Sequence, residues 1–338
     1  EGKFYVWTIE ELREALGELA EEAIAYFGAS ERGNFESGLN VLEGRGPEPE
    51  HLDEIRRRLY AVRAERVRPG LDDKRLTSWN SLMIGALAEA GAVLGRGDYM
   101  DAATQCASFL LGELRDDDGR LLRTWKDDHG RIYAYLEDHA YLLEALITLY
   151  EATFERHWYA EAVRLADGLV ERFEDPERGG FFTTASDQAQ LPVRRKDLED
   201  SPIPSGNSAA AFGLLRLSLL SGEGKYERHA LGVLRLMYPL AARHPQAFGH
   251  LLLAADFYVA PVREVAIVGP DAEAEKLLAA VRERFRPHMV LAAGASEAVP
   301  LLAGREPVDG QAAAYVCQHF VCEAPVTTAD ALTRALDG

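Results

Sequence analysis

Apolar positions recur at helical spacing through the middle of the chain, and they recur in a repeat. Three times a polar signature leads into an apolar run, a very short turn and a second run that opens on an aromatic residue. The signatures are Thr77-Ser78-Trp79-Asn80, Glu137-Asp138-His139 and Ser205-Gly206-Asn207-Ser208, and the second runs open near Tyr99, Tyr159 and Tyr226. From Asn80 to Tyr99, Asp138 to Tyr159 and Asn207 to Tyr226 the offset is about 20 residues, close to five helical turns plus a tight connection. Each unit therefore reads as an αα-hairpin, over 77–115, 137–173 and 205–242. Connections inside a hairpin are short and Gly-rich (Gly95-Arg96-Gly97-Asp98; Ser221-Gly222-Glu223-Gly224). Those between hairpins, 116–136 and 175–204, are long and carry Gly, aromatic and charged residues, which is where sites are built. Because every hairpin runs the same way, the first helices lie parallel and their N-termini gather at one mouth.

Around the repeats, residues 2–8 read as a strand, and Thr8-Ile9-Glu10-Glu11 is a capping box that opens a helix to Phe27. A Gly/Asn/Pro-rich loop (28–49) and a helix at 50–66 follow. Residues 245–258 read as an inner helix whose partner has been replaced. The period then changes: strands at 263–268, 289–292 and 313–321, helices at 272–285 and 328–336. The expected division is a hairpin array over 1–260 and a small α/β appendage over 261–338. A closed ring of hairpins takes six, so three complete units with partial ones on each side make an incomplete ring, cut by loss of an N-terminal segment or built as an open array. Inner helices at 82–94 and 141–150 should be apolar nearly all round. The flanks at 9–27 and 245–258 should expose apolar surface that favours association.

Composition narrows the function classes. With 338 residues and 47% apolar content the chain can bury a substantial core. A formal charge of −18 and pI near 5.0 argue against nucleic acid or anionic membrane as partners; Arg56-Arg57-Arg58 reads as the outer face of a helix. No apolar run approaches the roughly 20 residues that span a bilayer, and no signal-peptide pattern is present, although the chain opens at Glu1 rather than Met. Cytoplasmic location is the expectation. Of three cysteines, Cys106 reads as a small core residue. Cys317 and Cys322 lie in a strand with a break and leave core, disulfide, thiol-pair and metal readings open, with a reducing compartment the simpler assignment. Neither a metal nor a cofactor is called for, and no phosphate loop, HExxH or nucleophile elbow occurs.

Candidate chemistry sits at the three mouths. At the first, LDDKRLTSWN supplies Asp73 and Lys74 to act on hydroxyls, Trp79 to stack on a pyranose ring, and Asn80; alternatively Thr77 or Ser78 caps the helix, Asp73 pairs with Lys74 and Trp79 is core. At the second, Arg123, Trp125 and Tyr135 precede Glu137, Asp138 and His139. The acidic residues suit either chemistry or capping, and His139 suits either proton transfer or structure. At the third, Arg195, Lys196, Asp200, Ser205 and Asn207 converge beside Pro202, Pro204 and Gly206. They suit a hydroxyl-rich or anionic ligand, or else Ser205 is an N-cap with Asn207 facing a neighbouring connector. The candidate catalytic set is Asp73, Glu137, Asp138, His139 and Asp200; the candidate binding set is Lys74, Trp79, Asn80, Arg123, Arg195, Lys196, Ser205 and Asn207.

At EGKFYVWT (1–8), GNFE (33–36), RPGLDDKRLTSWNSLM (68–83), GGFF (179–182), PSGNS (204–208), EVAIVG (264–269) and AYVCQHFVCEAPV (314–326) the chain resembles the family of spermatogenesis-associated protein 20 and its bacterial relatives, thioredoxin-domain-containing proteins. The resemblance implies a mainly α fold, an (α/α)6 toroid similar to six-hairpin glycosidases and N-acylglucosamine 2-epimerases. It also implies a preceding thioredoxin-like domain, with the expectation that this chain corresponds to the later portion, after that domain, a His- and Glu-bearing motif and the first hairpins. Ser81 stands where the family usually has Gly, and His139 where it usually has an aromatic, so His139 is not carried over as the family's catalytic histidine. The implied function is acid–base chemistry on a small-molecule sugar or sugar derivative, without a cofactor, as an epimerase, isomerase or glycoside hydrolase. Hydrolysis needs two carboxyl groups about 5 to 9.5 Å apart, and epimerisation an acid/base on each sugar face. The alternative is a non-catalytic binding or scaffold domain of a thioredoxin-fused redox or protein-quality protein, in which Cys317 and Cys322 are the redox feature.

Overall fold

The structure is a computed structural model that describes residues 2–188, 193–294 and 299–337. Glu1, at the head of the EGKFYVWT stretch, and residues 189–192 of the third connector lie outside these. The chain divides into two compact units, Glu1–Asp73 and Lys74–Gly338.

The smaller unit holds α1 (Ile9–Leu16), α2 (Ala20–Phe27) and α3 (Leu52–Ala64). The capping box forms as expected, with Glu11 N donating to Thr8 Oγ1 (3.1 Å) and Thr8 N to Glu11 Oε2 (2.8 Å). The single helix expected over 9–27 is broken by a 3-10 turn at Gly17–Leu19, where Gly17 adopts a φ of 59°. The expected strand at 2–8 is reduced to one bridge, Trp7 to Asn40. The apolar faces of all three helices close on each other around Leu12, Leu16, Ala23, Ile55 and Leu59, so residues 9–27 do not form the exposed apolar flank that the sequence suggested. The positions left outside are mostly charged.

The larger unit is mainly α. Its hairpins are α4 (Thr77–Leu94) with α5 (Gly97–Glu113), α6 (Leu136–Thr153) with α7 (Arg156–Phe173), and α8 (Gly206–Ser221) with α9 (Gly224–Ala241), followed by α10 (Gly249–Val259). The first helices pack side by side in the order α4, α6, α8, α10, each hairpin's second helix backing its first: an incomplete ring of (α/α) type with four inner positions filled. Position in the row decides burial. Central α6 buries Ala140 to Leu143, Ala145 to Ile147, Leu149 and Tyr150, as expected of a helix flanked on both sides. Terminal α4 instead exposes Trp79, Leu82, Met83, Val93 and Leu94, and α10 exposes Leu252, Leu253, Tyr258 and Val259.

Two sheets complete the unit. β1 (Arg75–Leu76), β2 (Leu122–Lys126) and β3 (His129–Tyr133) form an antiparallel sheet leading into the N-termini of α4 and α6, where the sequence suggested only a long connector. The tail, β4 (Arg263–Val268), α11 (Asp271–Arg282), β5 (Met289–Ala293), β6 (Ala313–Gln318), β7 (Val321–Cys322) and α12 (Ala329–Asp337), follows the predicted order. Its sheet runs β5-β4-β6-β7, with β4 and β5 parallel and joined through α11. One face of this sheet (Ala266, Val268, Val290, Ala292) is part of the hairpin core, while the other (Val265, Ile267, Leu291) packs under α11 and α12. That shared core is why the molecule divides at Asp73 rather than after 260. No helix of the described residues is long and apolar enough to cross a membrane.

Candidate active site on the concave face of the inner helices

Beyond its first-turn Asp138 and His139, helix α6 carries a polar stripe at Glu137, Tyr141, Glu144, Thr148 and Glu151, spaced four, three, four and three residues and hence on one face. The partners of these residues show where the face points. Glu144 Oε1 lies 2.8 Å from His250 Nε2 on α10. Helix α8 stands between α6 and α10 in the row, so this contact is made across the concave side. Further along, Arg216 of α8 meets Thr148 Oγ1 (3.1 Å) and Glu151 Oε2 (2.6 Å). Glu89, Ala92, Thr148, Glu151, Arg216 and Phe257 contribute to the wall of a cavity of about 480 Å³ at this lower end. Phe212 lines that cavity and meets the His250 ring edge-on at 5.8 Å, which joins the two halves of the face.

At the mouth, Arg123 on β2 binds Glu137 Oε1 (2.7 Å) and Asp138 Oδ2 (2.8 Å) through Nη1. Asp138 is fully buried. Its oxygens also accept from Tyr135 N (2.9 Å) and from Ser78 N at the start of α4 (3.1 Å), so one carboxylate caps two neighbouring inner helices. Burial pushes this carboxyl up, against the Arg123 charge and the Tyr135 N–H that pull it down. Asp200 does likewise for the next pair of inner helices. Its Oδ1 takes Ser205 N (2.8 Å), and its Oδ2 takes His250 N (2.7 Å) and Leu251 N (3.2 Å) at the start of α10. Between these clasps, α8 begins against α6: a Cβ on Gly206 would come within 2.9 Å of the Leu136 side chain and 3.0 Å of Glu137 N, which explains the glycine in PSGNS. The Tyr141 hydroxyl donates to Pro204 O at the same junction.

The other sequence candidates divide by where they point. Ser205 is the N-cap of α8, accepting from Ser208 N at 3.1 Å. Asn207 is buried and spans the connector, bonding Phe181 N, Phe181 O and Asp197 O. Lys196 is paired with Asp175 at 2.7 Å. Arg195 and Lys196 nevertheless share an open cleft of about 540 Å³ with Glu137, Asp197 and Ser201. His139 is not at the mouth: it is buried against Phe173 with Nδ1 3.0 Å from Tyr135 O. Burial lowers its pKa to about 4, which leaves it neutral near pH 7. Asn80 bonds Leu76 O and receives the Cys106 thiol, on the outer-helix side. Trp79 is 64% exposed rather than core. Lys74 is exposed, and Asp73 is exposed and belongs to the other unit. Among the described residues no three His, Cys, Asp or Glu side chains are grouped to hold a metal. Cys317 and Cys322 form a disulfide, against the reduced state that the cysteine count suggested.

Two central residues escaped the sequence reading. Glu144 was legible as the middle of a polar stripe in an apolar helix. His250 is hidden because the apolar pattern extends back to 245, whereas the helix begins at Gly249, which puts His250 in the first turn. Burial works against protonation of His250, but the hydrogen bond and charge of Glu144, with the charge of Asp200, raise it above the ordinary histidine value.

The fold and site thus define a mainly helical hairpin-array protein with a polar, partly buried concave face. No protein-family model matches the chain. It is similar along almost its whole length to spermatogenesis-associated protein 20, as the sequence motifs suggested: 30% identity to the human protein over 99% of this chain and 49% of that one, with the same values for the mouse protein. An uncharacterized Caenorhabditis elegans protein is 26% identical over 96% of this chain. The chain spans about half the length of the curated relatives it matches. Among solved structures, cellobiose 2-epimerase from Bacillus thermoamylovorans overlaps 56% of this chain and 55% of its own at 12% identity and TM-score 0.39. A D-mannose isomerase overlaps 55% and 54% at 13% identity and TM-score 0.43.

Proposed function

We propose that the concave face binds a carbohydrate and performs acid–base chemistry on it, with Glu144 and His250 as the proton-transfer pair and Arg123 and Glu137 orienting hydroxyls at the mouth. The observation that carries this reading is the 2.8 Å contact between Glu144 and His250, made across the concave face by two half-buried groups. A carboxylate and an imidazolium held together are suited to an enolisable sugar. Glu144 takes the proton from the carbon beside the carbonyl, and His250 hands one to the carbonyl oxygen. Glu144 then returns its proton to the neighbouring carbon while His250 takes back the proton of the adjoining hydroxyl, which gives the isomeric sugar. Alternating polar groups and the Phe212 ring supply the hydrogen bonds and apolar contact that a polyhydroxylated ring needs.

The test is hydrogen–deuterium exchange at C2 of a panel of aldoses and disaccharides in D2O, followed by proton NMR. The reading expects exchange with at least one sugar, and a loss of about 10²-fold or more in Glu144→Gln and in His250→Asn. A second reading, a non-catalytic binding or scaffold domain, draws on the fact that Asp138, Asp200 and Asn207 spend their polar atoms on helix ends and connectors. Sugar binding by calorimetry without exchange would favour it over catalysis.

A further inference from the structure

The tail sheet carries a polar row unrelated to the concave face. Glu264 on β4 lies directly opposite Cys317 on β6, and Cys317 directly opposite Cys322 on β7, so the three side chains share one face of the sheet. The cysteines are bonded to each other. Glu323 N donates to Val316 O at 3.0 Å, which places the cysteines at the neighbouring non-hydrogen-bonded position, where opposite side chains come closest. Cys317 is buried and Cys322 exposed on the edge strand. The Arg305 guanidinium reaches both sulfurs through Nη2, 3.4 Å to Cys317 and 3.3 Å to Cys322, while its buried Nε has no partner. Glu264 is fully buried; Oε2 accepts from Phe320 N at 2.9 Å and Oε1 has no partner. A disulfide between cysteines five residues apart closes a loop too short to constrain the unfolded chain strongly, yet it is furnished with a half-buried cation and a buried acid.

We propose that Cys317–Cys322 is a thiol–disulfide exchange site that accepts two electrons from low-molecular-weight thiols. A thiolate RS⁻ attacks the exposed Cys322 Sγ. The RS–Sγ bond forms, the Cys317–Cys322 bond breaks, and the electron pair leaves on Cys317 as a thiolate. Arg305 Nη2 already donates to that sulfur and holds the new charge until the Glu264 carboxyl opposite protonates it, and the Glu264 carboxylate then takes back a proton from solvent. A second RS⁻ attacks the sulfur of the bound R group, releasing RSSR and the Cys322 thiolate, which takes a proton from water. The sum is one protein disulfide and two RSH giving two protein thiols and RSSR. The buried sulfur leaves and the exposed sulfur is attacked, because access selects the target and a stabilised thiolate leaves faster.

The test uses the folded chain equilibrated with mixtures of reduced and oxidised glutathione, acid-quenched, alkylated and read by peptide mass. The expected result is one two-electron transition of Cys317 and Cys322 together. Cys317→Ser should hold a glutathione adduct on Cys322, and Cys322→Ser should load Cys317 about tenfold more slowly or less. Arg305→Met should slow reduction of the native disulfide about tenfold, and Arg305→Lys should restore part of the rate. A disulfide that excess glutathione reduces only once the chain is unfolded, or equal adduct formation at both cysteines, would overturn the proposal. The two cysteine variants decide the matter even if Arg305→Met fails to fold.

Discussion

Two histidines on the same hairpin layer respond to their surroundings in opposite senses, and the difference is measurable. His139 is buried with one hydrogen bond and a pKa near 4. Its unfolded value is about 6.5, so between these values the unfolded chain binds the proton that the folded chain refuses. Stability should therefore fall as pH drops from about 6.5 to 4, by roughly 3 kcal/mol from this group. The urea midpoint of His139→Gln should fall less between pH 7 and pH 4.5 than that of the native protein; an unchanged difference would mean that His139 is charged in the fold. His250 runs the other way. Its raised value means that the stability it gains from Glu144 is complete below about pH 6.5 and is lost as pH rises through the folded value. The stability gap between native protein and Glu144→Gln should accordingly narrow from pH 6 to pH 9, and a widening gap would contradict the pairing. One half of this pair is written in the sequence as the Glu144 stripe of α6, although Glu144 is not among the sequence candidates. The other half depended on which helix stands two places along the row, which no local pattern encodes.

At the scale of elements, the inner helices are held by carboxylates shared between their N-termini. Asp138 serves α4 and α6, and Asp200 serves α8 and α10. Removing Asp138 leaves Ser78 N and Tyr135 N without their acceptor and Arg123 half-buried with one partner fewer. Asp138→Ala should cost about 3–5 kcal/mol, the range for breaking a buried ion pair, and be read as a lowered urea midpoint. Asp138→Asn should cost less, because its amide oxygen still accepts one N–H. A loss under about 1 kcal/mol for the alanine variant would mean that solvent replaces the clasp. These clasps show why residue type at the mouths was legible and role was not: an Asp in a first turn suits capping and catalysis alike, and the choice rests on whether a second helix end lies within hydrogen-bonding reach. The hairpins were readable because their period is long and repeated. The β2–β3 pair was missed because its five-residue strands are hidden among turn residues, with Asp127 and Asp128 at φ 54° and 60° making the tight reversal.

For the whole molecule, the consequence lies at the two ends of the helix row. The sequence reading placed exposed apolar flanks at 9–27 and 245–258; the structure moves the first to α4 and keeps the second at α10. Each end helix carries apolar side chains that α6 and α8 bury, among them Met83 at 56% and Leu94 at 66% exposure on α4 and Leu252 at 42% on α10. Exposed apolar side chains clustered on one helix mark an interaction face, and two such faces on one chain favour head-to-tail contact that closes or propagates. Light scattering on the chain should therefore show dimers or larger species that dissociate on dilution. Met83→Glu with Leu252→Glu places a charge in the middle of each face and should yield a monomer with an unchanged far-ultraviolet circular dichroism spectrum. If the native chain is strictly monomeric at high micromolar concentration, or the double variant associates as strongly as the native chain, the free helix flanks are not what drives association.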